Sequence, residues 1–307
     1  MPSVSVVDLG HNLHLIDAYL VDEPHRLACY LFDTPERVLI DCGPSRSIGH
    51  LFAALDHLGI DDVAVLALTH IHIDHAGGAG HFAARFPHAR IAVHTLGARH
   101  VADPARLVAS ATRAFGEQSM RDHWGPVEAV DPSRLLVLDE GDRIPLGVRR
   151  SIEVLYTPGH AKHHLVFAEA DTGACLIGDE AGVAFPHSHA IQPATPAPDF
   201  DPRATSEQLR RLAARRPSIL GFAHYGPHPD PQAALAQAEQ RVWEWVSWID
   251  KAGREEDVTA SFRRWVLDRH RAEGLSEEAV ALYDRHTFWA TQVDGIRRWL
   301  DRRDPAD

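Results

Sequence analysis

A histidine-rich stretch, LTHIHIDHAGG at residues 68–78, constrains the fold of this chain more than any other feature. Its first residue ends an apolar run, VAVLAL, that predicts a buried strand, and the small residues at its end can begin a helix. His70 and His72 lie two residues apart, so in extended backbone their side chains project to the same side. Asp74 and His75 follow the turn and can approach from another direction. Zn²⁺ and Fe²⁺ accept imidazole and carboxylate ligands, and four such groups exceed what one ion needs when it keeps an open coordination position, which indicates two ions.

Three further candidate ligands occupy similar points of the sequence, namely His160, Asp179 and His224. Each follows a short apolar run and has a glycine close by, which permits close approach of the backbone. Open α/β proteins bind ligands at the carboxyl ends of their strands. We therefore expect these three side chains and the histidine-rich stretch to converge on one metal site.

Short β-branched runs alternate with helical patterns over the first two thirds of the chain. Ten runs predict strands, at residues 4–9, 29–32, 37–41, 63–68, 90–93, 135–138, 152–157, 164–168, 175–177 and 218–222. A helix is predicted at residues 47–58, because Ile48, Leu51 and Leu55 recur at three- and four-residue spacing. Weaker helical patterns cover residues 79–86, 104–115 and 204–215. The alternation predicts an α/β layered fold.

The sequence changes character after the PHPDP stretch at residues 227–231. Strand patterns disappear, and the segment from residue 232 to 303 predicts about four amphipathic helices. Six of the seven tryptophans lie in this segment, so it is rich in large rings that need burial. The rings can form the core of a helical appendage, or part of the segment can cap the active site or form a homodimer interface.

Composition and charge exclude several classes of partner. The 307 residues include 31 basic and 43 acidic side chains, and the net charge of −12 argues against a nucleic-acid polymer. No run approaches the roughly 20 apolar residues of a membrane-spanning helix, and the first residues, MPSVSVVDLGHNLH, lack the features of a signal peptide. The three cysteines are far apart and form no CxxC pair, which is typical of a reducing compartment. We expect a cytoplasmic protein whose partner is a small-molecule substrate.

The HxHxDH motif at residues 70–75, together with His160, Asp179 and His224, resembles the metallo-β-lactamase superfamily, and the glyoxalase II-like branch is its nearest relative. The resemblance implies an αββα sandwich as the catalytic domain, residues 1–230, followed by a helical extension at residues 231–307. The stretch GHAKHH at residues 159–164 departs from the family pattern GHTxGH, because Ala161 and His163 replace threonine and glycine. This departure distinguishes the chain from glyoxalase II itself.

The resemblance also implies how the ligands divide between two divalent ions, with zinc expected and iron or manganese as alternatives. One ion would be held by His70, His72 and His160, the other by Asp74, His75 and His224, and Asp179 would bridge the pair. Asp41, in the stretch LIDCG, would either orient a ligand histidine, as the resemblance implies, or serve as a helix cap or turn residue.

The predicted function is that of a binuclear metal-dependent hydrolase acting on a small ester, thioester or lactone. Two ions can share a hydroxide that serves as nucleophile, so no GxSxG serine is needed, and none is present. Asp74 and Tyr225 are the predicted catalytic residues; Tyr225 either donates to a developing oxyanion or is structural. The proline-rich stretch at residues 181–202 is expected to shape the rim of the pocket.

Three other functions fit the same ligands. One is a phosphodiesterase acting on a small nucleotide. Another is an iron-dependent, oxygen-using enzyme similar to persulfide dioxygenases. The third is a binding protein that keeps the fold without catalysis.

Overall fold

The apolar runs form two β-sheets in the computed structural model, which describes residues 4–186, 188, 190–253 and 257–303. The described residues divide into two compact units. We call the first the sheet unit, formed by Met1–Tyr156, His163–Gly178 and Pro217–Pro227. The second is the helical unit, formed by Thr157–Lys162, Asp179–Arg216 and His228–Asp307. The catalytic-domain boundary at residue 230 stays a prediction.

The first sheet contains seven strands in chain order: β1 (Val6–Asp8), β2 (Leu13–Asp17), β3 (Ala28–Phe32), β4 (Val38–Ile40), β5 (Val65–Ala67), β6 (Arg90–His94) and β7 (Leu135–Leu138). Strands β1 to β4 are antiparallel, whereas β4 to β7 are parallel. Parallel neighbours need a crossover connection. Helices supply it: α1 (Ile48–His57), α2 (Ile73–Ala76), α3 (Ala79–Arg85), α4 (Thr95–Ala102), α5 (Ala105–Phe115) and α6 (Glu117–Ser119).

The second sheet contains six strands: β8 (Arg143–Pro145), β9 (Ser151–Tyr156), β10 (Leu165–Glu169), β11 (Ala174–Gly178), β12 (Ile219–Phe222) and β13 (Gly226–Pro227). All pairs are antiparallel except β11 with β12. The ten predicted strands are confirmed, with ends within two residues of the predicted ones. Three strands were not predicted, β2, β8 and β13. Strands β8 and β13 have only three and two residues, and in β2 the polar residues His14 and Asp17 interrupt the apolar run.

The first sheet is buried on both faces, and successive residues of one strand belong to different cores. In β3, Ala28, Tyr30 and Phe32 join the core between the two sheets. Cys29 and Leu31 join the core that the sheet forms with its helices, where Leu51 of α1 and Phe82 of α3 also lie. This two-residue period explains why the strands appear in the sequence as continuous apolar runs. The predicted α/β sandwich is confirmed.

The helical unit contains α7 (Pro202–Arg215), α8 (Pro231–Ala252), α9 (Val258–Ala272), α10 (Glu277–His286) and α11 (Trp289–Arg302). Helix α8 begins where the sequence indicates, since the Asp230 carboxylate accepts a hydrogen bond from Ala233 N and Pro231 takes the first helical position. The predicted helical C-terminal part is therefore confirmed. Among the described residues, none of the helices combines the length and the apolarity that a bilayer crossing requires.

Aromatic rings form the core of the helical unit. Trp245 and Phe262 are fully buried with ring centroids 4.9 Å apart, and Trp289 lies 6.1 Å from Phe262. Burial of such side chains contributes about 1.5–3 kcal/mol each. These rings thus serve as a core, whereas a role of the helices as a cap or dimer interface stays a prediction.

His270 of α9 is a titratable group inside this unit. Its side chain is fully buried, with Nε2 3.3 Å from Gln192 Oε1. Burial is the main cause that lowers the pKa of His270 to about 4; the nearby Arg241 and Arg269 act in the same direction, and Glu273 opposes them. The imidazole is therefore neutral in the folded protein at neutral pH.

We predict that acid destabilises the protein through His270. Because its pKa is lower in the folded than in the unfolded chain, its stabilising effect is complete above about pH 6.5. It is lost as the pH falls, by about 3 kcal/mol at pH 4. Urea unfolding of the wild type, His270→Gln and the exposed control His88→Gln between pH 7 and 4 measures this contribution. The free energy of unfolding should depend less on pH in His270→Gln than in the other two proteins, and equal slopes would contradict the prediction.

Candidate metal centre

The histidine-rich stretch lies where strand β5 passes into helix α2. His72 has extended backbone (φ −60°, ψ 151°) directly before the helix, as the sequence predicts. The rings of His70 and His72 have centroids 4.5 Å apart, and those of His70 and His75 are 4.0 Å apart. His70 and His75 are fully buried. The turn from strand to helix thus gathers three imidazoles.

Within the sheet unit, Asp74, His75 and His224 offer ligand atoms that all lie within 4.8 Å of one another. The Asp74 carboxylate Oδ2 is 3.7 Å from His75 Nε2 and 3.4 Å from His224 Nε2. His224 reaches this point because it follows β12, whereas the other two begin α2. The three residues form a cluster of the kind that holds a metal ion.

The Asp41 carboxylate organises this part of the site. Asp41 is buried just after β4, and its φ of +58° lies in the left-handed region. Oδ1 accepts a hydrogen bond from Thr69 N (2.8 Å), and Oδ2 accepts from Thr69 Oγ1 (2.8 Å) and His75 Nδ1 (2.9 Å). Because His75 donates from Nδ1, its Nε2 carries a lone pair that can bind a metal.

Thr69 fixes the orientation of the His70 imidazole, as Asp41 does for that of His75. Its hydroxyl has one proton, which it donates to Asp41, so at the 3.0 Å contact with His70 Nδ1 the hydroxyl must accept. His70 therefore also donates from Nδ1 and presents Nε2. Nothing in the sequence except the position of Thr69 before the motif indicates this role.

Main-chain carbonyl oxygens fix two other imidazoles in the same way. In the sheet unit His224 Nδ1 lies 2.6 Å from the carbonyl oxygen of Arg26, and in the helical unit His160 Nδ1 lies 3.1 Å from that of Ala194. A carbonyl oxygen only accepts, so both histidines donate from Nδ1 and present Nε2. Sequence reasoning could not find these partners, because every residue has a carbonyl group.

The helical unit contributes a second pair of predicted ligands. His160 and Asp179 are buried, with His160 Nε2 3.6 Å from Asp179 Oδ2. The adjacent Glu180, which the sequence analysis missed, is also buried, and this burial raises its pKa well above the usual range. The structure thus brings five predicted ligands together in the sheet unit and two in the helical unit. The donor atoms that they offer, imidazole Nε2 and carboxylate oxygen, are those that bind a divalent cation.

Tyr225 follows His224 and is half-buried in the sheet unit, with its ring 5.1 Å from that of His25. Burial raises the pKa of Tyr225, so its hydroxyl stays protonated and can donate at neutral pH. That Tyr225 donates a hydrogen bond to a substrate oxyanion stays a prediction.

Comparison with known proteins agrees with this geometry, since residues 24–224 match the family model described as "Metallo-beta-lactamase superfamily". The chain belongs to this superfamily. It is accordingly a metallo-hydrolase, although its place in the glyoxalase II-like branch stays a prediction.

The chain is similar to the metallo-beta-lactamase fold-containing protein ST1585 of Sulfurisphaera tokodaii, with 29% identity over 219 residues, 70% of this chain and 78% of that protein. The crystal structure of ST1585 has a TM-score of 0.67 at 23% identity and covers 94% of this chain and 99% of that one. The chain is also 29% identical over 184 residues to acyl-coenzyme A thioesterase MBLAC2 of Gallus gallus, which covers 56% of this chain and 63% of that protein.

We predict that Asp41→Asn weakens metal binding. Asparagine has the same size and tolerates a positive φ, so the backbone is kept while the charge that orients His75 is lost. Loss of such a supporting group costs roughly 10–100-fold in metal affinity. Chelator competition measures the effect, with the exposed Asp61→Asn as a control that should match the wild type. An Asp41→Asn protein with wild-type affinity would contradict the role of Asp41.

A second pair of substitutions tests the hydroxyl of Thr69. Thr69→Val keeps the shape but removes the acceptor for His70 Nδ1, so metal affinity should fall by roughly tenfold. Thr69→Ser keeps the hydroxyl and should restore most of the affinity in the same assay. Equal affinities of the valine and serine variants would show that the hydroxyl does not orient His70.

Proposed function

We propose that the chain hydrolyses a small ester, thioester or lactone with the help of two divalent metal ions, and that thioesters are its preferred class. The observation that carries the metal role is the common orientation of His70, His75, His160 and His224, each of which presents Nε2. The choice of thioesters is supported by the similarity to MBLAC2, a protein named as a thioesterase.

The proposed ligands are those that the family resemblance implies. His70, His72 and His160 would hold one ion, Asp74, His75 and His224 the other, and Asp179 would bridge the two. The cluster of Asp74 with His75 and His224 supports the second set, and the contact between His160 and Asp179 supports the assignment of those two residues. Zinc is the expected ion, because it accepts imidazole and carboxylate ligands.

Divalent cations, when bound, activate a water molecule for attack and polarise the substrate carbonyl. The chain's own residues fix the geometry in which this chemistry occurs. Asp74 is the most accessible member of its cluster, with a side chain 23% exposed against 0% for that of His75, and it would orient the attacking water. Asp41 and Thr69 keep the imidazoles in one orientation, so no reorganisation is needed during the reaction.

Tyr225 would act on the other side of the reacting carbonyl. Its protonated hydroxyl can donate to the oxygen that gains negative charge as water adds to the carbonyl carbon. The bond between that carbon and the leaving sulfur or oxygen then breaks, and the thiol or alcohol departs with a proton that the attacking water has lost, while the oxygen of that water stays on the acid product.

The test compares substrates of four kinds on the metal-loaded protein: a p-nitrophenyl ester, an acyl thioester, a lactone and bis-p-nitrophenyl phosphate. We expect thioester hydrolysis with the highest kcat/KM. His75→Ala should lower this value by roughly a thousandfold, because metal ions supply several kcal/mol of transition-state stabilisation. His88→Ala is the matched control on the surface and should have wild-type activity.

Three results would contradict the proposal. Full activity after rigorous chelation would exclude a metal-dependent reaction. Cleavage of the phosphodiester alone would favour a phosphodiesterase. Oxygen uptake by iron-loaded protein with glutathione persulfide, without hydrolysis of any ester, would favour a dioxygenase.

A further inference from the structure

The loop between strands β2 and β3, residues 18–27, has a backbone conformation that most residues avoid. Four of its residues have φ in the left-handed region although none of them is glycine, namely Tyr19 (+55°), Val21 (+55°), Asp22 (+57°) and His25 (+57°). A positive φ costs free energy at any residue that carries a Cβ, and it persists only where the surrounding contacts enforce it. The loop therefore depends on contacts that hold its backbone in place.

The Asp17 carboxylate, at the end of β2, supplies two of these contacts. Its side chain is fully buried, and it lies beneath the half-exposed imidazole of His25, with Oδ2 3.9 Å from His25 Nε2. Oδ1 accepts a hydrogen bond from Tyr19 N (3.0 Å), and Oδ2 accepts one from His25 N (2.8 Å). Ala18 N closes the loop by donating to the carbonyl oxygen of Leu27 (2.8 Å). The carboxylate thus fixes the first and the last of the left-handed residues.

The chain that leaves this loop holds the proposed ligand His224 at two points. The carbonyl oxygen of Arg26, the residue after His25, accepts from His224 Nδ1 at 2.6 Å. Ala28 N donates to the carbonyl oxygen of Ala223 at 2.8 Å, so the residue before His224 is fixed as well. All of these residues belong to the sheet unit. The position of His224 therefore depends on the path of residues 25–28.

We propose that Asp17 is a positioning residue for the metal ligand His224 and acts through the backbone of this loop. The contact with His25 N fixes the chain one residue before the Arg26 carbonyl that His224 needs. If that carbonyl moves, His224 loses its acceptor, and the imidazole can turn or carry its proton on Nε2, where the metal requires a lone pair. The inference rests on the proposed function in one respect, since it takes His224 to be a metal ligand.

Chelator competition on the full-length, zinc-loaded protein measures the effect of Asp17→Asn. Asparagine keeps the size of the side chain but has one acceptor atom instead of two, so one of the two loop contacts is lost. We expect the affinity for one of the two zinc ions to fall by roughly tenfold, the lower end of the range for supporting groups, because Asp17 acts through the main chain. The affinity for the other ion should stay unchanged.

Asp8→Asn is the matched control. Asp8 Oδ1 accepts from Gly10 N at 2.8 Å, which is the same contact, two residues along the chain, that Asp17 makes with Tyr19. The turn between β1 and β2 that it stabilises carries no proposed ligand, so Asp8→Asn should bind both zinc ions as the wild type does. Wild-type zinc affinity in Asp17→Asn, or equal losses in the two variants, would overturn the proposal.

A double-mutant cycle distinguishes a positioning role from a merely structural one. His224→Ala removes the ligand, so Asp17→Asn should weaken zinc binding little further when it is added to His224→Ala. A structural role of Asp17 would lower the affinity by the same factor with and without His224, and this additive result would contradict the proposal.

Hydrogen exchange tests the connection without any change at Asp17, and so covers the case in which Asp17→Asn does not fold. Coupling between two sites is reciprocal. Zinc binding should therefore slow the exchange of amide hydrogens over residues 18–27 in the wild type but not in His224→Ala. No slowing in the wild type, or equal slowing in both proteins, would count against the role of Asp17.

These measurements record metal binding and not hydrolysis, which separates this inference from the proposed function. A His224-dependent loss of zinc affinity in Asp17→Asn, in a protein that hydrolyses none of the four substrates, would uphold the role of Asp17 and contradict the proposed function. Metal-dependent hydrolysis by the wild type together with wild-type zinc affinity in Asp17→Asn would contradict the role of Asp17 alone.

Discussion

The Asp41 carboxylate is the group on which the geometry of the metal centre depends. It receives three hydrogen bonds, from the amide and hydroxyl of Thr69 and from His75 Nδ1. These contacts connect the ends of strands β4 and β5 to helix α2, so one buried charge sets both the path of the backbone and the direction of two imidazoles. Three hydrogen bonds to the ionised form offset the cost of burying a carboxylate.

Sheet packing makes this arrangement stiff. The parallel strands that lead into Asp41 and Thr69 are buried on both faces, between the helices on one side and the second sheet on the other. A side chain supported from two cores can move little, because protein interiors are packed as densely as organic crystals. Gly178 shows how close the approach is, since a Cβ there would lie 2.7 Å from His164 Nε2 and 2.9 Å from Thr69.

The sequence alone predicted the parts of the structure that depend on side-chain type and period. Burial of both sheet faces produces the apolar runs that mark the strands, and the ligands stand out because histidine and aspartate follow such runs. The orientation of the imidazoles was not predictable, because His224 and His160 depend on the carbonyl groups of Arg26 and Ala194. These contacts depend on the tertiary structure, and the type of the residue that supplies the carbonyl group does not indicate them.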